Sequence, residues 1–410
     1  MPAVQRPSKA ARIAALDIDY VAGRSASGAG SAGAGSAAAG RSGGAGAAAA
    51  APIPPHLLET PDFLPAQLHE GIDNDPQDFE EFFTFEERAK VLPTRRTLYL
   101  VNLGLEAGAL APHTGPPLPA LQHLAAFLTA FTGLPHKLLP PLSIVPWASA
   151  GKGAKKRKAP GAGYMAVRLP TSLVRVRSCA PKDGEFHSAL HCHDLLDALQ
   201  ELLPADAFAI LGLTAHDIHE DGMPVGGRAF GGSRIAVISC ARYAPVFDDV
   251  SKEWPGWGGR GGACLQAARA AHAAAAAASA PQALALTALW TQRTAVTAMH
   301  ELGHCLGLDH CIYYSCFMGE IEGQAPYACP VCLRKLLCAV GGDALPCQDA
   351  APAMRHYDRV AAFCSGAEQA PSPYWAAFGA WCSARSAELQ GKGAQGGAGA
   401  MASEGGCGTS

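Results

Sequence analysis

The stretch "HELGHCLGLDHC" (300–311) sets three histidines, a glutamate and two glycines at fixed intervals. On an α-helix, residues four apart lie only about 40° apart around the axis. His300 and His304 therefore project from one face, one turn apart, and can share a metal ion. Glu301 sits beside them, poorly placed as a further ligand but within reach of a water on that ion. Gly307 can take the left-handed conformation that ends a helix. The chain then turns back, and His310 can supply a third nitrogen. Three protein ligands leave a fourth position for water, the layout of a catalytic rather than a structural zinc. Zinc lowers the pKa of such a water to roughly 7, Glu301 accepts the proton as general base, and it passes the proton on to the leaving amine of a peptide. Tyr313 or Tyr314 could steady the oxyanion, although packing is the more ordinary role for both. A helix with incidental histidines would rarely keep the glycine and the third histidine at this spacing.

Cys311 adjoins His310 and is followed by Cys316, Met318, Cys329 and Cys332, the last two in "CPVC". A pair of cysteines plus a CxxC is a four-thiolate zinc pattern. Four thiolates fill the tetrahedron and exclude substrate, so this second zinc is expected to be structural. It can contribute on the order of 10 kcal/mol of folding free energy and pin the loop that carries His310. Four buried free thiols are the alternative, and Cys338 is a possible competing ligand. Met318 can form an apolar floor under the first metal or be an ordinary core methionine; the two roles overlap.

The chain has 410 residues, a net charge of −3 and 14 cysteines. Near-neutral charge gives no footprint for nucleic acid or for an anionic membrane. The first twenty residues lack the uninterrupted apolar core of a secretory signal, while the Ser/Ala/Arg composition beyond them leaves a transit peptide open. The expectation is a soluble intracellular protein, cytoplasmic and/or nuclear, whose cysteines serve metal rather than bridges. The alanine run at 273–278 is too short to span a bilayer.

Residues 1–55, with their Gly/Ala/Ser tract at 22–51, are expected to be a disordered tail, and 386–410 another. Between them, 56–385 reads as a single catalytic domain with insertions at about 150–163 and 256–281. The first insertion carries "KGAKKRK" (152–158), a solvated loop or a nuclear-import signal. Buried strands are expected at 95–105, 207–214 and 233–243 and within 136–145. Helices are expected at 120–133, ending at Gly133, at 187–204 and at 282–307. This order predicts an α+β fold with one mixed β-sheet, packed helices and an active-site helix.

The signature at 300–332 resembles that of the archaemetzincin family of metzincin zinc peptidases: HExxHxxGxxHC, then a cysteine, a methionine and a CxxC. "FTGLPHKLLPPL" (131–142), "FAILGLTAHDI" (208–218), "FGGSRIAVISCARY" (230–243) and "CPVCLRKL" (329–336) are also similar to family segments. The resemblance covers most of 95–340, broken by the two insertions. It implies a zincin-like α+β fold with a catalytic zinc and a second zinc in a four-cysteine loop. It makes His300, His304 and His310 the catalytic ligands, Glu301 the general base and Met318 the Met-turn residue. Cys311, Cys316, Cys329 and Cys332 would hold the second zinc. It further implies peptide substrates and an aminopeptidase-type activity on short peptides. One departure is the loop of ten residues between Met318 and Cys329, shorter than is usual in the family.

Several other residues invite a bland account. His187, His191 and His193 read as a wetted helix face rather than a metal site. His216 and His219 could approach the cleft, Asp309 could steady a ligand, and Cys305 should be core. The competing functional class is a catalytically weak, zinc-stabilised interaction module with the same fold, against which the intact Glu301 argues. A nucleic-acid binder built on one cysteine knuckle and the basic loop fits the charge poorly.

Overall fold

The computed structural model of the chain describes residues 77–105, 118–147, 163–180, 186, 188–244, 282–319, 324–342, 350–366 and 372–400. The tail expected at 1–55, the basic loop and the insertion at 256–281 lie outside these residues.

The fold is mixed α+β with two sheets. After a short helix α1 (Phe79–Thr84), strand β1 (Thr97–Asn102) and helix α2 (Leu121–Thr132) lead to strand β2 (His136–Leu138). Strands β3 (Ile144–Pro146), β4 (Gly163–Arg168), β5 (Leu173–Cys179) and β6 (Ala189–His191) precede helix α3 (Cys192–Gln200). Strands β7 (Ala207–Thr214), β8 (Asp217–Glu220), β9 (Met223–Val225), β10 (Gly227–Ala229) and β11 (Ile235–Ser239) follow. The long helix α4 (Gln282–Cys305) and helices α5 (Pro330–Val340), α6 (Ala351–Cys364) and α7 (Pro373–Ala400) complete the chain.

One sheet has the order β10-β11-β7-β1-β2, parallel throughout except for the antiparallel pairing of β10 on β11. Its central strands are unbroken apolar runs, "TLYLV", "AFAILGL" and "IAVIS". The reason is burial on both faces, which removes the polar half of the strand alternation. Leu98 and Leu100 face a core shared with α2 and α4, whereas Tyr99 and Val101 face a second core shared with α3 and the other sheet. That other sheet has the order β3-β4-β5-β6-β8-β9 and is antiparallel except between β6 and β8.

The expected single sheet is therefore corrected to two. The β4–β5 hairpin, beside the basic loop, supplies much of the second sheet, and its half-buried sequence has little apolar signal. The helix expected over 187–204 begins only at Cys192, because Ala189–His191 pairs with both β5 and β8. At the other end, α7 carries backbone helix past residue 386, with Ser386 and Leu389 buried, so the tail expected to start there is helical up to Ala400. Gly133 ends α2 at φ 77°, its N–H bonded to Thr129 O at 2.7 Å. Among the described residues, no helix is long and apolar enough to cross a membrane.

Candidate metal centres and cleft

Helix α4 presents its chemistry in its last two turns. Upstream, Trp290 Nε1 donates to Cys240 O at 2.6 Å and Arg293 Nη1 to Tyr243 O at 3.2 Å. These bonds fix the helix against the segment that leaves β11. Gly303, between the two histidines of the helix, packs directly on Met318: a β-carbon there would overlap Met318 Sδ. Met318 is wholly buried and lies under the turn that separates His300 from His304. The helix stops as the glycine signal predicts. Gly307 stands at φ +87°, its N–H bonds to His304 O at 2.9 Å, and a β-carbon there would overlap the Arg88 side chain.

The turn that follows is strapped from a distance. Gln77 Nε2 donates to Gly307 O at 3.1 Å, while Gln77 Oε1 accepts from Asp309 N at 3.1 Å and from the buried Lys335 Nζ at 2.8 Å. Lys335 belongs to α5, so the helix that starts at the CxxC also holds the turn between His304 and His310.

The structure brings His300, His304 and His310 together, with one ring nitrogen from each within 4.8 Å of the others. His300 Nδ1 lies 2.9 Å from Phe317 O, and His304 Nδ1 lies 2.9 Å from Leu308 O. A carbonyl oxygen only accepts, so both Nδ1 atoms carry the proton and both Nε2 atoms present lone pairs. Those two Nε2 atoms face each other at 3.1 Å. Two acceptors at that distance repel unless a cation lies between them. A tetrahedral zinc with bonds of about 2.0–2.1 Å to nitrogen would set a ligand separation of about 3.3 Å, close to what is seen. Burial, reinforced by the neighbouring histidines, holds the His300 imidazole well below its usual pKa, and burial lowers His304 to about 4. Both rings are thus held in the neutral form that ligates metal.

Glu301 is 6% exposed, and burial raises its carboxyl to about 8, against the Arg228 charge and a hydrogen bond from the Ala229 backbone. It leans on β10, where a β-carbon at Gly227 would come within 2.5 Å of Glu301 Oε1.

Cys311, Cys316, Cys329 and Cys332 form the second group, all buried and with sulfurs within 4.8 Å of one another. The Cys311–Cys329 and Cys316–Cys332 sulfur separations are both 3.7 Å. That is far beyond a disulfide bond. It matches the edge of about 3.8 Å expected for a tetrahedron with metal–sulfur bonds of about 2.3 Å. Hydrogen bonds from the three neighbouring thiols pull Cys311 well down toward thiolate, while burial drives Cys329 up. Cys329 is also the N-cap of α5, its Sγ accepting from Cys332 N. Cys338 is buried on the same helix but is not in the group.

A cleft of about 430 Å³ opens over the histidines. One wall is residues 224–231, which include β10, the terminal strand of its sheet; Tyr243, Thr297 and Gln324 add to the lining. Sequence reasoning missed Arg228, Tyr243 and Thr297. The double glycine at 226–227 was the available signal: a β-carbon at Gly226 would overlap the Tyr243 hydroxyl, as one at Gly227 would crowd Glu301.

Other expectations separate here. Tyr313 and Tyr314 are buried and do not line the cleft, nor do His216 and His219. Asp309 is exposed, and Cys305 is core. His191 is not on a wetted face: it is 5% exposed and sits 5.3 Å, ring to ring, from both His193 and His219. These three do not form a metal group; His219 Nδ1 accepts from Gly222 N and His191 Nδ1 is bonded to Arg177. His187 lies outside the described residues.

No family model matches the chain. It is 26% identical over 275 residues to archaemetzincin-2 of Homo sapiens, covering 65% of this chain and 65% of that protein. It is 28% identical over 270 residues to archaemetzincin-1 of Rattus norvegicus, covering 64% of this chain and 46% of the relative. The match therefore spans less than two thirds of either relative. Among solved structures, the archaemetzincin of Methanopyrus kandleri is 18% identical, with 61% of this chain and 97% of that chain covered and a TM-score of 0.34. A zinc-dependent peptidase from Methanocorpusculum labreanum is 16% identical, with 58% and 99% covered and a TM-score of 0.30. The chain is similar to archaemetzincins.

Proposed function

We propose that the chain is a zinc-dependent metallopeptidase of the archaemetzincin kind that hydrolyses short peptides, with aminopeptidase-type action. The observation that carries this reading is the pair of unprotonated Nε2 atoms turned toward each other, with a third imidazole beside them and a buried carboxyl adjacent. His300, His304 and His310 would hold the catalytic zinc, and the four cysteines a second, structural zinc. When bound, the catalytic ion supplies Lewis acidity that activates water near neutral pH and polarises a carbonyl.

The protein's own side chains do the rest. The charge of a cation held by the three histidines would oppose the rise that burial causes, so that Glu301 would stand as a carboxylate, take the proton of the attacking water and return it to the leaving nitrogen. The carbonyls of Phe317 and Leu308 keep His300 and His304 in the ligating tautomer. Met318 fills the space beneath the helix turn, fixing the angle between the two rings. Strand β10 is the terminal strand of its sheet among the described residues, an edge on which an extended peptide can lie as an added strand.

The test is hydrolysis of a mixed set of short peptides by the zinc-loaded full chain and by Glu301→Gln. Wild type should cleave; the variant should lose about 10²–10⁴-fold in rate while keeping its zinc content. Equal rates in the two proteins would reject the enzyme and leave a zinc-stabilised interaction module.

A further inference from the structure

Arg228 is the one lysine or arginine among the described residues that line the cleft. It sits at the centre of β10, paired to Val237 on one side and, among the described residues, to no strand on the other. Its guanidinium is held but not enclosed. Nη2 meets Glu220 Oε1 at 3.0 Å, and its side chain remains 43% exposed. The same Glu220 oxygen is also 2.8 Å from His193 Nε2. Glu220 thus divides one carboxylate oxygen between two donors, and it arrives from the end of β8 in the other sheet. This arrangement fixes the arginine in space and leaves part of the guanidinium exposed, although its Nε is buried.

In β-sheet geometry, a residue placed directly opposite Arg228 on an added strand puts its Cβ about 4.5–5.5 Å away, on the same face. Guanidinium at that distance pairs best with a carboxylate, by charge-assisted hydrogen bonds.

Resting on the peptidase reading above, we propose that Arg228 is a specificity-determining residue that selects peptides presenting a carboxylate next to the scissile bond. The carboxylate is either an acidic side chain or the C-terminus of a short peptide. Glu220 acts as a positioning residue that holds the guanidinium beside that edge of β10, and it moderates the attraction by sharing its charge.

Two sets of fluorogenic hexapeptides decide the source. In one, with amidated C-termini, a single Glu or Gln is moved through every position. In the other, all side chains are neutral and the C-terminus is free or amidated. The zinc-loaded full chain is assayed as wild type, Arg228→Gln, Arg228→Glu and Glu220→Gln. Affinity for the same labelled peptides is read by anisotropy in the Glu301→Gln background, where turnover does not interfere. Wild type should favour the carboxylate member of at least one pair by about tenfold in kcat/KM and in affinity. Arg228→Gln should erase the ratio with unchanged zinc content and melting temperature. Arg228→Glu should invert it toward Lys-containing peptides, and Glu220→Gln should raise it, which a merely structural role for Arg228 would not produce. Ratios within twofold for every pair, or a ratio that survives Arg228→Gln, would overturn the proposal. Should wild type cleave nothing, the peptidase reading falls by itself, and the anisotropy ratios still decide whether Arg228 selects carboxylates.

Discussion

Replacing Gly303 by alanine isolates the contact between α4, which carries His300 and His304, and its floor. A methyl group there has no room: it overlaps Met318 Sδ and comes within 3.1 Å of Phe317 Cε2. Both neighbours are fully buried, so neither can swing into solvent. Overpacking of this kind costs about 1–3 kcal/mol. Removing a helix-interior glycine returns about 1 kcal/mol of helix propensity. The single variant should therefore be destabilised by about 0–2 kcal/mol. It should also weaken zinc binding at the proposed histidine site, because Phe317 O orients His300. In a Met318→Ala background the overlap with Sδ disappears, the Phe317 ring gains the vacated space to give way, and the helix gain remains, so the same change should stabilise by up to about 1 kcal/mol. The sign reversal, a coupling of about 1–3 kcal/mol, is the informative quantity. Urea unfolding of the four proteins at matched zinc concentration measures it. If Gly303→Ala has the same effect in both backgrounds within about 0.5 kcal/mol, Met318 is not the group that demands glycine and the packing account is wrong.

Further outcomes follow from the two centres and from a buried histidine. His310→Ala should reduce zinc from two ions per chain to one by native mass spectrometry, whereas Cys329→Ser should remove the other ion and lower the melting temperature sharply. Gly227→Ala should displace the Glu301 carboxyl and depress kcat at nearly constant zinc content, since only 2.5 Å separates the added carbon from Oε1. His356 is 2% exposed, donates Nδ1–H to Phe131 O at 2.8 Å, and is lowered by burial to about 4. Its unfolded form accepts a proton near pH 6.5, well before the folded form does. Stability should therefore hold above pH 6.5 and fall as the pH drops from there toward 4, by about 3 kcal/mol from this group. His356→Asn, which can keep the hydrogen bond without titrating, should flatten that part of the urea-midpoint profile against pH.

How much of this was legible beforehand depended on whether the signal was local. The i, i+4 histidines, the glycine after them and the CxxC are local patterns with one physical meaning each, and the fold places their side chains in two compact groups. Gly133 and Gly307 gave helix ends because positive φ is a backbone demand written in one residue. The β4–β5 hairpin was missed because its apolar face is discontinuous: residues such as Arg175 and Arg177 extend from the half-buried strand. The 187–204 segment misled because helical spacing continued smoothly upstream into residues that instead pair with two strands. Arg228 and Tyr243 had only the double glycine at 226–227 to signal them. A three-residue edge strand has no periodicity to detect, and its nearness to α4 is set by the sheet order. The C-terminal helices also escaped notice. Their aromatic residues, such as Trp381 stacked 5.0 Å from Tyr327, pack on the cysteine loop from far along the sequence.

His310 and Cys311 are consecutive residues, one in each metal group. A peptide bond therefore joins the cysteine group to the histidine group, and on the proposed reading damage to the first would be transmitted to the second. If the four cysteines hold a zinc, alkylating or oxidising agents that strip them should silence the proposed hydrolysis although, among the described residues, no cysteine lines the cleft. Judged by an inhibitor panel alone, the proposed peptidase would pass for a cysteine peptidase, and restoring zinc together with a reductant is what would tell the two apart.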